Sequence, residues 1–125
     1  MTSVFIVEDD KSIQILYKKF LDLYGFHVVG TASNGEEAVE MYKKFSPKPD
    51  IILMDHRMPI KDGLEATKEI MNLNNKNNKT SIIFASADKS IKDKALRLGI
   101  GGFLDKPFSL EKLIDQIKKM ESIER

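Results

Sequence analysis

Four short stretches of this 125-residue chain carry side chains that can do polar chemistry together. Glu8, Asp9 and Asp10 follow an apolar run at Val4–Val7, and Asp55 follows another at Ile51–Met54. Ser86 follows Ile82–Ala85, and Lys106 comes two residues after Phe103–Leu104. Each has a structural reading when taken singly. Acids opening a helix complement its dipole, while an Asp after a strand or a Lys-Pro pair commonly marks a turn. That reading is kept for Asp10, as a helix cap. Gathered at one edge, the same residues do more. Two like charges roughly 4 Å apart repel by about 4 kcal/mol at an effective dielectric of about 20. Clustered carboxylates therefore shift their pKa values upward or recruit a cation. Hard oxygen ligands with open positions suit Mg²⁺, or Mn²⁺, and Lys106 adds a second positive charge. A cation, an ammonium and one reactive carboxylate form a site for moving a phosphoryl group onto that carboxylate.

The elements needed to bring these residues together are legible in the apolar pattern. Val4–Val7, Ile51–Met54 and Ile82–Ala85 are continuous apolar runs, as expected for strands covered on both faces. Val28–Val29 and Phe103–Leu104 are weaker and suit edge strands. Between the strands lie helical spacings: Ile13, Leu16, Tyr17, Phe20 and Leu21; Ala38, Val39, Tyr42 and Phe45; Leu64, Thr67, Ile70 and Met71; Ile91, Ala95 and Leu98; and Leu110, Leu113, Ile114 and Ile117. Asp10 and Ser109 are natural caps for the first and last helices, and either Ser33 with Glu36 or Asn34 with Glu37 offers a capping box for the second. The Asn- and Lys-rich stretch Asn72–Lys79 reads as a loop. Five strand–helix repeats predict a parallel sheet with right-handed crossovers and helices on both faces. In such sheets ligands bind at the carboxyl ends of the strands, where the polar residues above are found.

Composition narrows the function classes. Twenty basic residues against nineteen acidic ones, spread over several helices, argue against nucleic-acid binding by this chain alone. The absence of cysteine fits a reducing compartment. No apolar run approaches the roughly 20 residues of a membrane helix, and Met1-Thr2-Ser3 leads into the first strand without a basic leader. A cytoplasmic protein without a membrane role is expected. His27 and His56 are expected on the surface or in a turn, and the six methionines as core filler.

Ile6-Val7-Glu8-Asp9-Asp10, Ile52-Leu53-Met54-Asp55 with Met58-Pro59 and Gly63, Ala85-Ser86-Ala87 and Lys106-Pro107-Phe108 resemble the signature blocks of response-regulator receiver domains. The resemblance covers essentially the whole chain, in order and spacing. It implies one flavodoxin-like (βα)5 domain over residues 1–125, with a five-stranded parallel sheet of order 2-1-3-4-5. It implies that Asp55 is the phosphoacceptor, taking phosphate from a sensor histidine kinase or a histidine phosphotransfer protein. Mg²⁺ (or Mn²⁺) would be held by Asp9 directly, by Glu8 mainly through water, by Asp55 and by the backbone carbonyl of Arg57. Lys106, followed by a cis peptide bond to Pro107, and Ser86 would bind the phosphoryl oxygens. Ser86 and Phe103 would form the switch, and Arg57 and Asp88 would tune the phosphoryl lifetime. Serine stands at 86 where threonine is more usual, and phenylalanine at 103 where tyrosine is frequent. Phosphorylation is then expected to reshape the face of the fourth helix, fifth strand and fifth helix, favouring binding of a partner or formation of a dimer.

Three rivals are weighed against this. An aspartate-nucleophile phosphatase of the haloacid-dehalogenase type usually carries a second Asp two residues on, where this chain has Arg57; an enzyme turning over an external ester is not expected. A flavin or nucleotide module wants a Gly- or Ser/Thr-rich loop after the first strand, where this chain has three acids. A receiver-like interaction module that is never phosphorylated often lacks a member of the set Asp9, Asp55, Ser86 and Lys106, all present here. The chain ends soon after its fifth helix, which suits either a stand-alone regulator or the receiver of a longer protein.

Overall fold

The computed structural model describes residues 1–74 and 79–124, the side chains of 122–124 aside. Strands and helices alternate: β1 (Ser3–Val7), α1 (Lys11–Leu23), β2 (His27–Ala32), α2 (Gly35–Lys44), β3 (Ile51–Asp55), α3 (Gly63–Leu73), β4 (Ser81–Ser86), α4 (Lys92–Arg97), β5 (Gly102–Asp105) and α5 (Leu110–Glu124). A single 3₁₀ turn, Lys89–Ile91, leads into α4. All strands are parallel and their order is β2-β1-β3-β4-β5, the flavodoxin-like arrangement expected from the sequence.

Strand side chains alternate between two cores because successive residues point to opposite faces. Val4, Ile6, Ile51, Leu53, Ile83 and Ala85 pack under α1 and α5, against Tyr17, Leu21, Leu113, Ile114 and Ile117. Phe5, Val7, Ile52, Met54, Ile82 and Phe84 pack under α2, α3 and α4, against Ala38, Tyr42, Ala66, Ile70 and Ala95. Both faces are covered, which is why the central strands are apolar throughout Val4–Val7, Ile51–Met54 and Ile82–Ala85. The edge strands β2 and β5 are covered less completely and have the weaker patterns.

The caps set where each helix starts. Asp10 accepts from the amides of Ser12 and Ile13 at 2.9 and 3.2 Å. Of the two capping boxes, Asn34 with Glu37 forms: Asn34 accepts from the Glu37 amide at 2.8 Å, and Glu37 accepts from Ser33 N–H at 3.0 Å. Ser109 Oγ accepts from the Lys112 amide at 3.2 Å.

Several expectations need correction. α3 runs through Asn72 to Leu73, and Asn74 ends it by giving its side-chain amide to the Thr80 carbonyl at 3.0 Å. The expected loop thus starts two residues later, and residues 75–78 of it lie outside the described residues. Met54 and Met120 are core residues, but Met1 is 93% exposed. His27 is exposed and His56 lies in the bend after β3, both as expected, with the half-buried His56 ring 5.7 Å from that of Phe84. No helix among the described residues is long and apolar enough to cross a membrane.

Candidate functional site

Register explains the convergence. Val7 pairs with Met54, so Glu8 and Asp55 leave β1 and β3 at the same level. Asp55 pairs with Ala85, and Ser86 with Asp105, so Ser86 and Lys106 lie one and two residues farther along. Asp55 continues the parity of Ile51 and Leu53 towards the α1–α5 face; Ser86 continues that of Ile82 and Phe84 towards the other.

On the β1–β3 side the charges are close; Glu8 and Asp55 are buried and Asp9 is exposed. Glu8 is 2% exposed and Asp55 7%. Oxygens of Glu8, Asp9 and Asp55 lie within 4.8 Å of one another. Lys106 Nζ donates to Asp55 Oδ1 at 2.7 Å and lies 3.6 Å from Glu8 Oε1. Glu8 Oε2 accepts from Asp10 N–H at 3.1 Å, but Oε1 is buried and receives no hydrogen bond. Burial pushes the Glu8 carboxyl up to about 7; the Asp10 amide and Lys106 pull the other way, and the Asp55 carboxylate adds to the rise. Burial also opposes the charge on Lys106, but its hydrogen bond and the carboxylates of Asp55 and Glu8 outweigh it and hold the ammonium above its usual range. A buried carboxylate oxygen without a donor, beside two more carboxylates, fits a hard divalent cation with all-oxygen ligands. Glu8, Asp9 and Asp55 are the residues that can hold one.

The loop from Asp55 to α3 is fastened at both ends. Gly63 N–H donates to the His56 carbonyl at 2.8 Å, and Gly35 N–H to the Lys61 carbonyl at 2.9 Å. Neither position tolerates a side chain: a Cβ at Gly63 would collide with the Asp55 carbonyl, and one at Gly35 with the Lys61 carbonyl. Arg57, on this loop, lines a cleft of about 490 Å³ together with Asp55, Ser86, Asp88, Lys89 and Lys106.

On the β4–β5 side, Ser86 is 4% exposed and its Oγ accepts the Asp88 N–H at 2.9 Å. Asp88 caps the 3₁₀ turn through the Ser90 amide at 2.9 Å, and the Ser90 hydroxyl and amide hold its carboxyl below the usual range. Arg57 approaches Asp88 at 3.9 Å while remaining 84% exposed, a loose ion pair over the cleft. The Phe103 ring stacks on Phe84, with centroids 5.8 Å apart and planes 15° apart, and Lys92 Nζ lies 5.4 Å from its centroid. The Lys106–Pro107 bond is cis, as the resemblance implied, and so is the Ser46–Pro47 bond.

Sequence reasoning overlooked three residues around the site. Gln14 is buried at 4% exposure and bridges the ends of β1 and β2. A polar residue at helical spacing with Tyr17 and Leu21 was the available signal. His56 carries a buried Nδ1 without a partner. Ile60 has φ 71° and is 76% exposed, in a three-residue turn closed by Lys61 N–H on the Pro59 carbonyl at 2.8 Å. Nothing in its residue type announces that conformation, which is uncommon for a β-branched side chain.

Known proteins resemble this chain in sequence and fold. Residues 4–118 match the family model described as the response regulator receiver domain. The chemotaxis protein CheY of Thermotoga maritima is 35% identical over 117 residues, spanning 94% of this chain and 95% of the relative. Among solved structures, a chain of the CheX–CheY–BeF3–Mg²⁺ complex from Borrelia burgdorferi superposes with a TM-score of 0.86 at 28% identity, covering 95% of this chain and 88% of that one. The receiver domain of the sensor histidine kinase PA1611 from Pseudomonas aeruginosa, with magnesium coordinated in its active-site cleft, gives 0.79 at 28% identity, covering 94% and 95%. With the matched model spanning nearly the whole sheet and the acids, hydroxyl and lysine meeting at its carboxyl edge, the chain belongs to the response-regulator receiver family of two-component signalling.

Proposed function

We propose that residues 1–125 form one phosphoacceptor domain, which takes a phosphoryl group on Asp55 with the help of a divalent cation and signals by a change of shape. The observation that carries this reading is the meeting of Lys106 Nζ with Asp55 Oδ1 at 2.7 Å beside the Glu8–Asp9–Asp55 cluster. It places one carboxylate at the floor of the cleft next to a fixed cation and a set of ligands for a second.

The donor is a phosphohistidine on a kinase or phosphotransfer protein. An Asp55 carboxylate oxygen forms the new bond to phosphorus as the P–N bond breaks, and the released imidazole takes up a proton from solvent. Glu8, Asp9 and Asp55, with the Arg57 carbonyl, would hold Mg²⁺ (or Mn²⁺), which would offset the charge of the transferring group. Lys106 moves from the Asp55 carboxylate to a phosphoryl oxygen. Ser86 Oγ accepts the Asp88 N–H, which leaves its own hydrogen to donate to another phosphoryl oxygen. Ser86 and Phe103 carry the change to the α4–β5–α5 face. The protein is then a signalling acceptor and not an enzyme acting on an external substrate.

Incubation with acetyl phosphate and Mg²⁺, read by intact mass, tests the assignment. Native protein should gain one phosphoryl group, and Asp55→Asn or chelation of the metal should abolish the gain. Stoichiometric labelling that persists in Asp55→Asn would remove Asp55 from this role.

A further inference from the structure

Three residues of α1 are buried, and one of them, Gln14, is polar. A side-chain amide in a core is unfavourable unless its polar atoms find partners. Gln14 Nε2 shares its two hydrogens among the Glu8 carbonyl, the Ala32 carbonyl at 3.2 Å and Ser33 Oγ at 3.2 Å. These acceptors lie where β1 and β2 part: the last paired residues are Val7 and Ala32. The Ala32 carbonyl also accepts the Glu8 N–H at 3.0 Å. One step beyond the ladder, the Glu8 carbonyl has no strand donor, and the Gln14 amide takes that place.

Both peptide groups flanking Glu8 are therefore tied, one through its N–H to Ala32 and the other through its carbonyl to Gln14. Two fixed peptide planes fix φ and ψ of the residue between them, and with these the direction of its side chain and the path by which the chain delivers Asp9. We propose that Gln14 is a positioning residue for the cation site, holding the Glu8–Asp9 peptide so that both carboxylates face Asp55. This inference rests on the cation reading above. Mg²⁺ demands near-octahedral geometry at short distance, whereas Ca²⁺ accepts looser and more numerous ligands. A residue that sets ligand geometry therefore matters more for Mg²⁺ than for Ca²⁺, whereas a general loosening of the fold weakens both alike.

The test is calorimetric titration with MgCl₂ and with CaCl₂ of native protein, Gln14→Met, which keeps length and loses the donor, and Gln14→Asn, which keeps the amide and loses its reach. Loss of a group that orients metal ligands commonly costs about 10–100-fold in affinity. The Mg²⁺ dissociation constant should rise at least about tenfold in each folded variant, and that for Ca²⁺ by less than about threefold. Metal-free amide spectra should show the Asp9 and Ser33 signals displaced. Unchanged Mg²⁺ affinity in a folded variant, or equal losses for both ions, would overturn the positioning role. Failure of both variants to fold would overturn it too, since Gln14 would then serve the fold. If native protein binds neither ion, the cation reading itself fails, a result distinct from these.

Discussion

The β1–β3 side of the cleft and its β4–β5 side carry comparably polar residues but are held by different means. On the first side, Glu8 and Asp55 are buried at the ends of central strands, and the loops leaving them are tied by Gln14, Gly35 and Gly63. On the second, Ser86 leads into a single 3₁₀ turn and a six-residue helix that has no side-chain cap and only Ala95 buried. Leu113, Ile114, Ile117 and Met120 anchor α5 in the core, whereas Ile91 and Ala95 alone anchor the turn and α4. Local opening is easiest where few apolar contacts must break. One side is thus held by many buried contacts and the other by few, as the proposed switch requires.

The largest effect that tests this contrast comes from Glu8. Burial pushes its carboxyl up to about 7 in the folded protein, from 4.5 in an exposed carboxyl, so the folded, metal-free protein holds a proton more tightly than the unfolded chain. The resulting stability is fully present below about pH 4.5 and is lost as pH rises through about 7, by about 3 kcal/mol in all. Urea unfolding in a chelator should show this decline in native protein and lack it in Glu8→Gln; parallel curves would mean that the carboxyl is not strained by burial. Mg²⁺ competes with the same proton, so its affinity should climb with pH up to about 7 and then level off.

A smaller loss is expected from Lys106→Met. Removing one partner of a buried ion pair costs about 3–5 kcal/mol. The Lys106 side chain is 28% exposed, against 3% for Glu8 and 10% for Asp55, and this water access lowers the expectation to about 2 kcal/mol. Metal-free unfolding at pH 7.5 measures it, and saturating Mg²⁺ should recover part of the loss. A change below about 0.5 kcal/mol would show that the two carboxylates do not need the ammonium.

The smallest effect belongs to the opposite rim. Arg57 and Asp88, 3.9 Å apart with Arg57 84% exposed, should contribute only about 0–1 kcal/mol to stability. The role proposed for them is kinetic: the double mutant Arg57→Ala, Asp88→Ala should lose its acyl phosphate faster than native protein. Equal dephosphorylation rates would leave the pair without that role.

What the sequence disclosed divides along the same line. The central strands and the polar residues that follow them were legible because Val4–Val7, Ile51–Met54 and Ile82–Ala85 are continuous apolar runs, whereas the strand order was implied only by the resemblance to receiver domains. Asp10 announced its cap by residue type alone. Gln14 and the fastened β3–α3 loop were not legible, since each depends on a backbone group of another element, and the local turn at Ile60 was not, since its residue type does not favour that conformation. The two capping boxes before α2 could not be ranked either, because Ser33 and Asn34 are both good caps until β2 fixes where the chain turns. Phe103 was recognisable as an aromatic at the switch position, but its stacking on Phe84 follows from the β4–β5 register.

The contrast between a fixed and a responsive side is tested most directly by amide chemical shifts with and without a beryllium fluoride phosphoryl mimic and Mg²⁺, in native protein and in Ser86→Ala. In native protein the changes should run from the cleft through Ser86 to Phe103 and α4, while the core amides of β1 and α1 beyond the metal ligands stay in place, and Ser86→Ala should weaken the distant changes. Native changes confined to the cleft, or distant changes undiminished in Ser86→Ala, would contradict it.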